Sequence, residues 1–176
     1  MVLIIVTIFF ISFVTFGILI LKQNYQGTYK YTTTEQFNVT CEQLWNAITD
    51  YEKQPLWREG LIRTEKVITS KSRDIWKETD VNGQQIEWES FALVRNRKLV
   101  RKTINQTMPI ISTHTFELKP YGEISLLTLT EETEINKLMF RLIKYSFSGA
   151  TSELVQFIKD LKTKVNNDIV NRTNIT

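Results

Sequence analysis

The chain predicts an α+β fold: a curved antiparallel sheet of about seven strands around one long C-terminal helix, preceded by one transmembrane helix. Three observations predict it. An apolar run at the N-terminus carries no charge from Val2 to Leu21. Between Leu61 and Ile135, short β-rich segments alternate with turn chemistry. Beyond Ile135 the hydrophobic period becomes helical and remains so to Ile169.

About 20 helical residues span roughly 30 Å, the thickness of a bilayer's hydrocarbon core, so residues 2–21 read as a membrane anchor. A cleaved signal peptide would want a basic start, a shorter apolar stretch and a small-x-small cleavage site. No Lys or Arg precedes this run, and Leu21-Lys22-Gln23-Asn24-Tyr25 supplies no such site. Lys22 and Lys30 follow the run, and the positive-inside tendency then directs the rest of the chain to the cytosol as a single-pass membrane protein. The division is residues 1–22 as anchor and 23–176 as one domain, large enough to bury a single core. A composition 42% hydrophobic and 23% charged is that of a folded chain rather than a disordered one. Cys41 is the lone cysteine, which excludes an intrachain disulfide and a thiolate metal cluster. A formal charge of +3 is too small to imply nucleic-acid binding.

The first strand runs over Tyr29–Val39, where tyrosines and threonines lead to Phe37 and Val39. Thr40 and Gln43 form a Thr-x-x-Gln capping box, and Leu44, Trp45 and Ile48 are the apolar stripe of the helix it opens. Pro55-Leu56-Trp57-Arg58 reads as a second helical turn. Six strands follow: Leu61–Ile68, Ile75–Asp80, Gln85–Val94, Leu99–Asn105, Thr113–Lys119 and Ile124–Ile135. Their separators (Lys71-Ser72-Arg73-Asp74, Val81-Asn82-Gly83, Asn96-Arg97-Lys98 and Pro120-Tyr121-Gly122) are short, which favours hairpins and an antiparallel meander. Leu138–Phe147 reads as helical and leads to Gly149; Leu154, Phe157, Ile158, Leu161, Val165 and Ile169 then mark one face of the final helix.

These elements resemble the START-like helix-grip superfamily, which includes the polyketide cyclases and aromatase/cyclases. The likeness rests on Asn38-Val39-Thr40 entering Leu44-Trp45-Asn46-Ala47-Ile48-Thr49-Asp50-Tyr51, followed by Pro55 and Trp57. Trp76-Lys77-Glu78, Leu99-Val100-Arg101-Lys102, Thr115-Phe116-Glu117-Leu118, Glu131-Glu132 and Phe140-Arg141 extend it. It covers nearly everything after the apolar run. The resemblance implies a helix-grip fold with a cavity between sheet and helix; because such proteins include binders, transporters and enzymes, it implies little about activity.

Alternation places His114, Phe116 and Leu118 on one face of their strand, and Leu127, Leu129, Glu131, Thr133 and Ile135 on one face of the next. A His and a carboxylate in an apolar cavity could act as acid and base; equally, they form a buried polar pair bonded to each other, to backbone or to water. Trp57 lies near the expected cavity mouth, and Trp76 and Trp88 on adjacent strands either line the cavity or pack beneath a loop. The candidate ligand-binding residues are therefore Trp57, Trp76, His114, Phe116, Leu127, Leu129 and Glu131 from the sheet side. Leu154, Phe157, Ile158 and Leu161 face them from the final helix. Arg95, Arg97, Lys98, Arg101 and Lys102 gather around one hairpin, either as a solvated turn or, near a membrane, as a contact for anionic headgroups.

No phosphate loop, dinucleotide fingerprint or metalloprotease helix occurs, and no catalytic residue, metal or cofactor is assigned. The expected function is a membrane-anchored, monomeric binding module for a hydrophobic or lipid-like small molecule, without nucleic acid. The alternatives are a cyclase- or hydratase-like enzyme using His114 and Glu131, or a protein-interaction domain.

Overall fold

Which way each strand faces decides where a core can form. The structure, a computed structural model, describes residues 28–67, 74–104, 110–135 and 150–173, with 7, 9, 10, 12–17 and 19 of the N-terminal segment; the side chains of 91–93 and 150–152 are outside it. The helix expected over Leu138–Phe147 and the turn at Lys71-Ser72-Arg73 lie outside the described residues.

Strand β1 (Thr28–Phe37) leads into helix α1 (Cys41–Thr49) and a 3-10 turn (Tyr51–Leu56). Strands β2 (Leu61–Val67), β3 (Asp74–Asp80), β4 (Gln85–Val94), β5 (Lys98–Thr103), β6 (Ile110–Tyr121) and β7 (Ile124–Ile135) follow, and helix α2 (Ala150–Thr173) comes last. Among the described residues the strands form one seven-stranded sheet in the order β1-β7-β6-β5-β4-β3-β2. Every pairing is antiparallel. The sheet curves, with the C-terminal helix on its concave side, in the helix-grip manner.

The expected capping box is present: Gln43 N donates to Thr40 Oγ1 at 3.3 Å, and Thr40 N donates to Gln43 Oε1 at 3.1 Å. Both satisfy amides that would otherwise be orphaned at the start of α1. The β6–β7 hairpin turns at Gly122, whose φ of 63° is a conformation that a Cβ disfavours.

The expected faces are the observed ones. Leu127, Leu129, Glu131, Thr133 and Ile135 are buried, while Glu132 and Glu134 between them are exposed. Leu154, Ile158, Leu161 and Val165 of α2 close on Leu99, Phe116, Leu118, Leu127 and Leu129, and α1 adds Leu44, Trp45 and Ile48. On the convex face the β1–β7 seam carries threonine pairs, Thr32 with Thr130 and Thr34 with Thr128, each within hydrogen-bond reach.

The membrane anchor expected over residues 2–21, and with it single-pass placement facing the cytosol, is corrected. Among the described residues no helix is long and apolar enough to cross a membrane.

Leu161 is fully buried. Its replacement by Ala should cost about 2–5 kcal/mol in urea unfolding, whereas Thr32→Ala on the convex face should stay within about 0.5 kcal/mol. Equal effects would contradict the assignment of the two faces.

Candidate functional site

The helices pack chiefly over β1, β6 and β7. Toward β2–β5 the concave face is less covered, and a cavity of about 320 Å³ opens there. This is near the lower end of small-molecule sites. Two kinds of wall bound it.

One wall is aromatic. Trp88 of β4 stacks on His114 of β6 with ring centroids 4.5 Å apart, His114 meets Phe116 at 6.4 Å, and Phe116 meets Phe157 of α2 at 5.8 Å edge-on. Leu154 completes this side. The period-2 pleat and the β4–β5–β6 register bring these rings together, because alternate residues share one face.

The other wall is ionic. Glu78 of β3 accepts from Arg101 Nη2 at 3.0 Å through one oxygen and from Arg58 Nη1 at 3.1 Å through the other. Arg101 is buried, with its guanidinium 4.4 Å from the Tyr51 ring centroid and 5.3 Å from that of Trp88. Arg58 Nη1 also donates to Gln54 Oε1 at 2.7 Å, and its guanidinium lies 5.4 Å from the Phe157 centroid. Burial opposes ionisation of Glu78, yet the charges of Arg101 and Arg58 and their hydrogen bonds outweigh it and hold the carboxyl below its ordinary value. Burial raises the phenol of Tyr51, against the opposing charge of Arg101 and a hydrogen bond with Ser90.

At the mouth, Asp160 accepts from Glu59 N at 2.8 Å and, through its other oxygen, from Gln156 Nε2 at 2.7 Å. Asp80 is occupied by its own turn, accepting from the amides of Asn82 and Gln84.

Of the residues expected at a ligand site, His114, Phe116, Leu154 and Phe157 lie on the cavity lining. Trp57 and Trp76 are outside the lining: Trp57 packs on Phe157 with centroids 5.7 Å apart, and Trp76 packs on Tyr51 at 5.1 Å. Leu127, Leu129, Ile158 and Leu161 lie in the core. Glu131 stands directly opposite His114 in the β6–β7 register and accepts from Thr133 Oγ1 at 2.7 Å, outside the lining. Arg101, grouped above with a cationic turn, instead points inward, while Arg95, Arg97 and Lys98 are exposed. Arg58 and Glu78 were not singled out as site residues. Period 2 is the signal for Glu78, which shares a face with Trp76, and for Arg101, which shares one with Leu99, whereas Arg58 follows the 3-10 turn and carries no such signal. Among the described residues no cluster of His, Cys, Asp and Glu has the makings of a metal site.

A family model described as polyketide cyclase / dehydrase and lipid transport matches residues 28–166. No curated protein matches. Solved structures with the same fold include a START superfamily protein from Mycobacterium smegmatis (TM-score 0.62, 15% identity, 78% of this chain and 97% of that one). Another is the Zhui aromatase/cyclase from Streptomyces sp. R1128 (TM-score 0.65, 10% identity, 81% and 96%). A third is norcoclaurine synthase from Thalictrum flavum in complex with dopamine and hydroxybenzaldehyde (TM-score 0.62, 11% identity, 80% and 87%). Identities this low speak for fold alone.

Replacing Glu78 by Ala leaves two guanidiniums against one another and should cost about 3–5 kcal/mol. The acid limb follows from the depressed pKa. The unfolded chain takes up the proton first, so this stabilisation is complete above the unfolded value of about 4.3 and is lost as pH falls through the lower folded value. Urea midpoints measured across that range should fall more steeply for wild type than for Glu78→Gln. Parallel curves would contradict the ion cluster.

Proposed function

We propose that this chain, which belongs to the polyketide cyclase / dehydrase and lipid transport family, is a binding module for a hydrophobic, lipid-like small molecule. One observation carries the reading: an open cavity between α2 and the sheet, with Trp88, Phe116, Leu154 and Phe157 on its apolar side. Aromatic faces bury large areas and accept flat or aliphatic ligands alike, and a mostly preformed cleft with a few polar groups is the usual form of a small-molecule site. Residues 23–176 are the proposed extent of the domain that holds it.

The enzyme reading keeps a specific observation in its favour. His114 lies on the lining with Arg101 and Glu131 as its cross-strand neighbours, and solved structures of this fold include an aromatase/cyclase and norcoclaurine synthase. An imidazole beside a ligand is a candidate proton carrier. Turnover of a bound compound, abolished in His114→Ala while binding persists, would move the assignment from binding to catalysis.

Trp88 reports on the cavity, so binding of an apolar dye such as an anilinonaphthalene should alter tryptophan emission, and apolar compounds should displace the dye. Ile86 lines the same space. Ile86→Trp should fill it and lower dye affinity at least about tenfold without a loss of folding by circular dichroism. Unchanged dye binding in that variant would place the dye elsewhere and remove the support for a cavity ligand.

A further inference from the structure

The ionic wall is unbalanced. Two guanidiniums share one carboxylate, both of whose oxygens are taken, so Arg58, Glu78 and Arg101 together carry one excess positive charge beside the cavity. The two arginines are not equivalent. Arg101 is sealed in, and its Nε lacks a hydrogen-bond partner in a position that solvent does not reach. Arg58 is half-buried on the lining and spends one nitrogen, Nη1, on Gln54 and Glu78; among the described residues its Nη2 and Nε donate to no protein group. A guanidinium lying 5.4 Å from the Phe157 ring centroid and anchored through Nη1 alone is preorganised for an oxygen anion at its other nitrogens.

We propose that this wall receives a single carboxylate, so that the ligand is an apolar carboxylic acid whose head lies on Arg58 and whose body lies along Trp88 and Phe157. Glu78 and Arg101 act as positioning residues: Glu78 fixes the Arg58 fork, and Arg101 keeps Glu78 ionised. The assignment to one charge follows from the mouth. Glu59, Asp80, Glu153 and Asp160 stand on the lining without an ion pair among the described residues, and their field weighs more heavily on a dianion than on a monoanion. The proposal rests on the cavity reading above, and its test separates the two.

The full chain is titrated with one aromatic body carrying different heads: 1-naphthylacetate, 1-naphthylacetamide, 2-(1-naphthyl)ethylamine and 1-naphthyl phosphate. The acetate should bind about tenfold or more tighter than the amide, amine and phosphate. Arg58→Gln should remove the acetate's advantage and leave the amide's affinity in place, while Arg58→Lys keeps part of it. Added salt should narrow the gap between acetate and amide in the wild-type chain, a readout that needs no variant to fold. Equal binding of acetate, amide and amine overturns the carboxylate assignment and leaves the cavity reading standing, as does a preference that survives Arg58→Gln. A phosphate that binds more tightly than the acetate overturns the single-charge assignment. Failure of all four to bind overturns the cavity reading itself, and this inference with it.

Discussion

A sheet of seven strands, spaced at about 4.8 Å, is about 29 Å across, and a helix with its side chains is about 10 Å wide. One long helix cannot cover such a face. Curvature brings part of the sheet toward α2, and α1 beside it extends the cover over β6 and β7. The remainder, from β2 to β5, needs either bulky plugs or an opening. In this chain both occur: Trp76 with Tyr51 fills one part, and the cavity occupies the other. The site is thus what is left when a wide sheet meets a narrow partner.

What holds the opening is a chain of polar contacts running from helix to sheet. Gln54, almost fully buried in the 3-10 turn, donates to the carbonyl of Ile48 at 2.8 Å and accepts from Arg58, which reaches Glu78, which in turn binds Arg101. The network ties the end of α1 to β3 and β5 where no apolar layer lies between them. Buried ion pairs of this kind add little net stability over well-packed apolar groups, but breaking one partner out is expensive. The contacts here join Arg58, after the 3-10 turn, to β3 and β5 along one wall of the cavity.

The fold was legible because its signals are local. The Thr40–Gln43 box, the alternation along Thr113–Lys119 and Ile124–Ile135, and the stripe from Leu154 to Ile169 each lie within one element and follow its own period. The helix-grip pattern then followed from their order. The site was only partly legible. His114, Phe116, Leu154 and Phe157 were reachable from facing and amphipathicity alone. Glu78 and Arg101 were not, although alternation turned both inward, because opposite charges 23 positions apart declare themselves a pair only once the β3–β4–β5 register is known. Arg101 was further disguised by its neighbours, since Arg95, Arg97, Lys98 and Lys102 suggest a solvated turn and composition does not record which of five cations points in.

The lining also bears on what kind of chemistry the cavity favours. General acid–base work needs groups whose pKa lies near neutrality and which converge on one reacting atom. Glu78 lines the cavity, but two arginines hold it ionised, so it is poorly suited to delivering a proton at neutral pH. Glu131 is His114's cross-strand partner, yet it takes its described hydrogen bond from Thr133 outside the lining. His114 faces the space with Arg101 and Glu131 as its cross-strand neighbours. Fixed charge and stacked rings are features that discriminate among bound molecules; they recognise a head group and a body without requiring either to react. Both can serve selectivity on this lining, the rings through the body of a bound molecule and the fixed charges through its head.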